Sequence, residues 1–166
     1  MLCARRRPCL HCPAPPWPVH PGRDASFLRR HSCAVGRQPG SRRSRRRRKA
    51  SAGRARRLVT GRLRVWGLDD LADTAELLVS ELVTNALRHA RGPVRLNLRA
   101  TDDRLLCEVE DACDADPVRR TAPLGAEGGR GIELLDLLGE AWGSYRTATG
   151  KTTWFELSAV PPRTPS

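Results

Sequence analysis

Three polar residues recur at intervals of four in the segment "ELLVSELVTNALRHA" (76–90): Glu81, Asn85 and His89. A carboxylate can serve as a general base, and an amide oxygen is a hard ligand suited to Mg²⁺. In a helix these positions fall within a sector of about 80°, on or at the edge of the face that carries Leu82. An unpaired carboxylate there would cost several kcal/mol, so a polar group is expected to meet it. The alternative is that the three side chains border solvent and satisfy one another.

Two helices are predicted to position this line of polar groups. The first extends from about residue 52 to Gly67, because apolar residues repeat at helical spacing and glycine suits the position after a helix end. The second is the longest helix of the chain. It begins with Asp69 or Asp70 as the N-cap and ends with basic residues before Gly92.

Four strands and a third helix follow. Alternating apolar residues predict a hairpin from 94–100 and 104–111, and "AWGSYRTA" and "KTTWFELSAV" predict a second hairpin across "TG". Between the hairpins, "GIELLDLLGEAW" (131–142) predicts a short helix. This order of elements predicts an α+β fold, a two-layer α/β sandwich with helices on one face of a mixed, mostly antiparallel sheet.

The positive charge is concentrated at the start of the chain. The 166 residues carry a formal charge of +12, but residues 1–57 carry +16 and residues 58–166 carry −4. Residues 1–50 are rich in Pro, Arg, Gly and Ser, which predicts a disordered basic leader. "DASFLRRHSCAV" (24–35) is the one candidate for a strand before the first helix. Alternatively, translation starts further along and the leader is not part of the protein.

The length and the composition, with 39 % hydrophobic residues, allow one domain with a core, predicted at 51–160 with a tail at 161–166. Neither an apolar run of about 18 residues nor an apolar signal segment occurs, so we expect a cytoplasmic protein with no membrane contact. Reduced thiols are expected in that compartment. "CLHC" (9–12) has the spacing of half a zinc site, but a second well-spaced ligand pair is lacking.

A second group of candidate residues follows the first hairpin. The strand 104–111 ends on Asp111, and 112–130 hold turn formers and little that packs, which predicts a lid loop. The loop ends in "EGGRGI" (127–132), where glycines let a backbone approach phosphates and the N–H groups of the next helix favour an anion.

Four features follow one another along the chain: a helix with Glu81 and Asn85, a strand that ends on Asp111, a glycine-rich helix start and the late strand "GKTTWFEL". In this order they resemble the ATP-binding domain of the Bergerat-fold ATPases. That superfamily includes gyrase and the histidine kinases. Within it, residues 52–158 are most similar to the bacterial anti-sigma-factor serine/threonine kinases and their single-domain regulatory relatives. "SELVTNALRHA" resembles the family's N-box, "VED" the start of its first glycine box, and "GGRGIELL" its second.

The resemblance implies ATP and Mg²⁺ as cofactors. It also gives roles to the first group of candidate residues, Glu81, Asn85 and His89. Asn85 would coordinate the Mg²⁺ that bridges the phosphates. Glu81 would be the general base toward the hydroxyl of a protein serine or of water. His89 would lie near the nucleotide, or would be only a basic residue suited to the helix dipole.

For the second group, the resemblance implies contacts with the base and the phosphates. Asp111 would accept a hydrogen bond from the adenine amino group, and Thr152 would support the same base from the neighbouring strand. Gly129 and Gly131 would line the phosphates at the helix start, with Arg130 nearby.

The sequence departs from the family pattern at two points. "ACDAD" follows Asp111 where the fuller pattern has glycine, and Glu127 stands just before the glycine pair, where a lid arginine would meet the γ-phosphate. Arg119, Arg120 or Arg130 would have to supply the contact with the γ-phosphate instead. The resemblance therefore supports nucleotide binding more directly than phosphotransfer.

Three functions compete at this stage. The first is an ATP-dependent protein kinase that phosphorylates a serine of an anti-anti-sigma (STAS-type) partner and separately holds a sigma factor, as a monomer or a homodimer. The second is a catalytically weak or inactive module of the same fold that sequesters a partner. The third is nucleic-acid binding through "RRSRRRRK" (42–49), with an affinity that falls steeply with salt. The third ranks last because the domain itself is acidic.

Overall fold

The computed structural model describes residues 29–37, 44–89, 92–112 and 130–159. The strands in this part of the chain are β1 (Arg29–Arg37), β2 (Pro93–Ala100), β3 (Arg104–Asp111), β4 (Ala141–Thr147) and β5 (Gly150–Ser158). The helices are α1 (Ser44–Trp66), α2 (Ala72–His89) and α3 (Arg130–Leu138). A short 3-10 turn at Asp69–Leu71 leads into α2.

The described strands form one sheet in the order β1-β2-β3-β5-β4, and each neighbouring pair is antiparallel. This architecture confirms the predicted α+β class, with an antiparallel rather than a mixed sheet among the described strands. The third predicted helix ends earlier than expected, at Leu138, because Ala141 and Trp142 already pair with β5. The second hairpin turns at Ala148 and Thr149, one residue before the predicted "TG".

β1 corrects the prediction that the leader is disordered throughout residues 1–50. The strand pairs with β2 along its length and overlaps the candidate segment 24–35, and α1 begins at Ser44 rather than near residue 52. An arginine-rich segment does not have the composition of a typical strand. It can still form one, because the long side chain of an arginine can reach a polar partner while its backbone stays in the sheet. Arg29 does so, donating from Nη1 to the Trp66 carbonyl oxygen at 2.5 Å. Residues 1–28 and the predicted tail lie outside the described residues.

The end of α1 is as predicted. Gly67 has a φ of 73°, a left-handed conformation that glycine adopts without a steric penalty. Its N–H donates to the Arg64 carbonyl at 3.3 Å, and the Leu68 N–H donates to the Leu63 carbonyl at 2.9 Å. These two bonds form a Schellman motif, which satisfies the last carbonyl groups of the helix. The predicted N-cap of α2 is wrong, however: Asp69 belongs to the 3-10 turn, whose own N-cap residue makes no side-chain capping bond.

The core lies between α1, α2 and one face of the sheet. Alternate residues of β2 are completely buried, as period-two patterning requires. The buried positions of α1 and α2 recur at helical spacing and face them. The main contributors are Ala55, Val59 and Leu63 of α1, Leu78, Val79, Leu82 and Val83 of α2, Leu96 and Leu98 of β2, and Phe155 of β5. α3 joins the same core through Leu135. Among the described helices, none is long and apolar enough to cross a membrane.

His31 of β1 makes stability depend on pH. Its burial, and then the positive charge of Arg62, lower the pKa of this imidazole below its usual value. The folded chain therefore holds His31 neutral at pH values where the unfolded chain binds a proton, so stability falls as pH drops below about 6.5. In a His31→Gln variant, the free energy of unfolding measured with urea should decline less steeply than in the parent between about pH 7 and pH 5. An unchanged slope would contradict this assignment.

Candidate functional site

The C-terminal end of α2 and the carboxyl end of β3 lie side by side. α2 ends at His89, and the chain enters β2 at Pro93. A Cβ added to Gly92 would lie 3.1 Å from the Cβ of Ala112, the residue after Asp111. α2 also packs on β3. The structure thus brings the end of the helix that carries Glu81, Asn85 and His89 to the same end of the sheet as Asp111.

The polar line of α2 borders the buried face rather than lying within it. Leu82 and Ala86 are buried, Glu81 is half-buried, and Asn85 and His89 are exposed. Among the described residues, no hydrogen bond or ion pair joins the side chain of Glu81 or Asn85 to another residue. Glu81 and Asn85 therefore do not satisfy each other, and both can meet a ligand at the edge of the helix.

Asp111 differs from these exposed groups because it is almost completely buried, with 3 % exposure. It lies two residues after Val109 on the same strand, so the two side chains share the face of the sheet that carries the core. Lys151 of β5 is directly opposite Asp111 in the register, and its Nζ lies 3.8 Å from Asp111 Oδ2. The Lys151 side chain is itself only 8 % exposed. A buried carboxylate requires such a partner, because an isolated buried charge is far too costly.

Gly150 fixes the position of this pair through close backbone packing. A Cβ at Gly150 would lie 2.0 Å from the carbonyl oxygen of Asp111 and 2.8 Å from the Cα of Ala112. Only glycine allows β5 to approach the end of β3 so closely. The start of β5 therefore determines where the carboxylate of Asp111 is held.

Thr152, which the resemblance assigns to the same base as Asp111, lies on the other face of the sheet from that carboxylate. Thr152 lies opposite Glu110 and Tyr145 in the register, on the face of the sheet away from the core. There its side chain is hydrogen-bonded to Tyr145, whose Oη donates to Glu108 at 3.2 Å. Successive side chains of a strand point to opposite faces, so Thr152 cannot share a face with Asp111. The threonine of β5 on the face of Asp111 is Thr153, which lies opposite Val109.

The outer face of the sheet carries its own polar network, separate from the candidate site. Glu108 is buried and pairs with Arg99 at 3.2 Å, and Glu156 is buried and pairs with Arg104. That pairing raises the pKa of Arg104 further, so its charge is permanent. The hydrogen bond between Thr152 and Tyr145 makes Thr152 part of this outer-face network.

Of the predicted phosphate-binding segment, the described residues include only the start of the helix that follows the glycine pair. α3 begins at Arg130, with Gly131 in its first turn. Its far end is fixed by the buried Leu135 and by Trp142, whose Nε1 donates to Asp136 at 2.9 Å. Gly129, the lid loop and the candidate arginines Arg119 and Arg120 lie outside the described residues, as does the "CLHC" segment. Among described residues, no group of three or more metal-ligating side chains occurs.

Sequence reasoning missed Lys151 and Gly150. Both stand in the quoted segment "GKTTWFEL", from which the resemblance gives only Thr152 as a site residue. The signal that could have identified them is alternation: once Phe155 is placed in the core, Lys151 falls on the same face. A lysine on a core-facing position near a strand-end aspartate indicates an ion pair. The exact partner, however, depends on the register between two strands that are distant in sequence.

The chain matches the model of a known family. The model of the histidine kinase-like ATPase domain matches residues 46–157, from the first part of α1 to the end of β5. The match covers α2, the end of β3 and the pair formed by Asp111 and Lys151. No curated protein matches the chain significantly.

Proposed function

The chain belongs to the family of histidine kinase-like ATPase domains, and from this we propose that it is a regulatory protein kinase that uses Mg-ATP to phosphorylate a serine of a protein partner. ATP binding is what the family domain implies. The observation that supports the proposal most directly is the packing of α2, which carries Glu81 and Asn85 at its edge, on β3, which ends at the buried Asp111.

The residues present fit a magnesium nucleotide. The exposed amide of Asn85 offers the hard oxygen that Mg²⁺ requires, and no described residue competes for it. Mg²⁺, when bound, supplies positive charge that is shared between the phosphates. Asp111 offers an anionic acceptor in a buried position, suited to an N–H donor of the base. The N-terminus of α3 favours the negative charge of the phosphates.

Glu81 is the proposed general base. Its half-buried carboxylate lies one helical turn before Asn85, so it faces the same side of α2 as the proposed metal ligand. From there it would accept the proton of an attacking serine hydroxyl as the oxygen attacks the γ-phosphorus, the bond from that phosphorus to the β,γ-bridging oxygen breaks, and ADP leaves. Phosphoryl transfer depends mainly on positioning and charge stabilisation, and an oriented carboxylate contributes to positioning.

The partners proposed for this kinase are a sigma factor and a STAS-type anti-anti-sigma protein that carries the serine. This assignment rests on the resemblance of "SELVTNALRHA" and "GGRGIELL" to the anti-sigma-factor kinases. The competing function is a partner-sequestering module without phosphotransfer, which the departure "ACDAD" after Asp111 favours. The test is incubation of the full chain with Mg-ATP and a purified STAS-type protein, followed by mass spectrometry for phosphoserine.

A Glu81→Gln variant is expected to lose phosphotransfer by roughly 100-fold or more while it keeps Mg-ATP affinity, because general-base catalysis is worth roughly 10²–10⁴-fold. The matched control is Glu76→Gln on the same helix, since Glu76 pairs with Arg56 at 3.3 Å rather than with a ligand. The control should retain activity. Equal phosphotransfer by Glu81→Gln and the parent would remove Glu81 from the mechanism, and no phosphoserine with any STAS-type partner would favour the sequestering module.

A further inference from the structure

The outer face of α1 is a cationic surface that the proposed function does not use. The sequence of α1 contains ten Arg or Lys residues and no Asp or Glu. Because the helix begins at Ser44, most of the basic run 42–49 belongs to a helix of the domain. Four exposed arginines on this face, which we term the arginine stripe, lie within a sector of about 80° and span about 27 Å of the helix: Arg46, Arg54, Arg57 and Arg64.

The charges of the arginine stripe are largely unneutralised. Among the described residues, no acidic side chain pairs with Arg46, Arg54 or Arg57. Arg64 has a partner in Asp69 at 3.9 Å, but the two side chains are mostly exposed, at 76 % and 63 %, so the pair is weak. Like charges along one face of a helix repel one another, and an anionic ligand would remove that cost.

Gly53 and Gly61 leave room for an anion beside the arginine stripe. A Cβ at Gly53 would lie 3.6 Å from Nη2 of Arg56 and 3.7 Å from Nη1 of Arg57, so two guanidinium groups flank the space where a side chain is absent. Arg56 is paired with Glu76 at 3.3 Å, which leaves Arg57 as the cation available there. Gly61 has nothing within 4 Å of an added Cβ. An open groove runs past both glycines, so anionic groups can come close to the helix.

We propose that the arginine stripe binds the phosphate backbone of double-stranded DNA without sequence preference. Guanidinium groups bind phosphate oxygens through paired hydrogen bonds, and duplex DNA presents phosphates continuously over the length of such a helix. The opposite face of α1 packs on α2 and β1, so the helix cannot enter a groove to read the bases. Contacts with the backbone alone position a protein on DNA and carry no sequence information.

The composition of the arginine stripe disfavours other anionic partners. Protein interfaces are centred on buried apolar or aromatic side chains, whereas the positions between these arginines include the small residues Ala50, Gly53 and Gly61. Helices that lie on membranes insert large apolar side chains, but of those in the described part of α1 only Val65 is exposed. Single strands are bound by stacking on aromatic side chains, which the stripe lacks. Duplex RNA is recognised largely through its 2′-hydroxyl groups, for which a row of arginines is not specific.

The test is fluorescence anisotropy of a labelled DNA duplex titrated with the full chain at several salt concentrations. In a double variant, Arg54→Gln with Arg57→Gln, affinity at about 0.1 M salt should fall by roughly 10-fold or more. The slope of log K against log salt should decrease in magnitude by about 2, since each phosphate contact contributes about 0.9. Both side chains are exposed and glutamine is a good helix former, so stability and Mg-ATP affinity should be unchanged.

The matched control is Arg30→Gln with Arg95→Gln, which removes the same charge from two exposed arginines of β1 and β2. This control should bind DNA with nearly the affinity and the salt slope of the parent. Equal losses in the two double variants would mean that binding follows net charge alone. Unchanged binding in Arg54→Gln with Arg57→Gln would place the contact elsewhere on the chain, for example in residues 1–28. Either result, or a parent that binds no DNA, overturns the proposal.

The competing partners are tested with the same variants. Vesicles that contain phosphatidylserine stand for a membrane, polyglutamate for an acidic protein, and an RNA duplex of the same length for RNA. A greater loss with any of these than with DNA, on removal of Arg54 and Arg57, would assign the arginine stripe to that partner and overturn the DNA assignment. The inference does not rest on the proposed function, so a parent that binds DNA but no nucleotide would refute only the kinase.

Discussion

Replacing Asn85 with alanine is expected to abolish measurable Mg-ATP binding by the full chain. The side chain is exposed at the edge of α2, so its removal leaves the core intact, and alanine is the best helix former. What is lost is the amide oxygen proposed as the protein ligand of Mg²⁺. Groups that only support metal ligands cost roughly 10- to 100-fold when removed, so loss of the ligand itself should cost at least about 100-fold. Calorimetric titration of Mg-ATP measures this directly.

Asn97→Ala is the matched control for that experiment. Asn97 is the other asparagine of the chain and lies on β2, where its Oδ1 accepts a hydrogen bond from Ser32 at 2.6 Å. This variant should bind Mg-ATP as the parent does, and thermal unfolding should show that both variants are folded. Parent-like affinity in Asn85→Ala would exclude Asn85 from the site and leave the sequestering module as the better function.

Replacing Gly150 with alanine is expected to destabilise the protein more than any other single methyl addition among the described glycines. The added Cβ would lie 2.0 Å from the Asp111 carbonyl oxygen, and both close neighbours are backbone atoms that cannot rotate away. Overpacking costs typically about 1–3 kcal/mol, and a backbone clash belongs at or above the upper end of that range. The strands must separate at the place where Asp111 and Lys151 are held, so nucleotide affinity should fall together with stability.

Gly61→Ala supplies the comparison within the same chain. Gly61 lies inside α1, is exposed, and has nothing within 4 Å of an added Cβ. Alanine there should raise the free energy of unfolding by about 0.5–1 kcal/mol, because glycine is a poor helix former. Urea unfolding of the two variants should therefore give changes of opposite sign. A Gly150→Ala protein as stable as the parent would show that β5 does not approach β3 as described.

Much of the fold was predictable because residue patterns within single helices and strands determine it. The polar line of α2, the glycine that ends α1 and the alternation of β2 are periodic signals within one element, and each is found where it was predicted. The predictions were wrong where contacts between distant parts of the chain outweighed the local pattern. β1 was hidden by its arginines, one of which, Arg29, reaches both Asp102 and the end of α1. Thr152 was assigned to the site from its motif alone, without the register, and it lies on the other face of the sheet from Asp111.

The sequence by itself determined which chemistry the chain carries: a carboxylate and an amide one helical turn apart, a strand-end aspartate and a glycine-rich helix start. Spacing along one helix or strand is a local property, and a local property can be derived from the order of residues. Only the tertiary structure decided that Lys151 rather than Thr152 stands beside Asp111, because that choice depends on how two strands 40 residues apart align. A shift of one residue in that register exchanges the two faces of β5, and long-range packing, with Gly150 against Asp111, fixes the register.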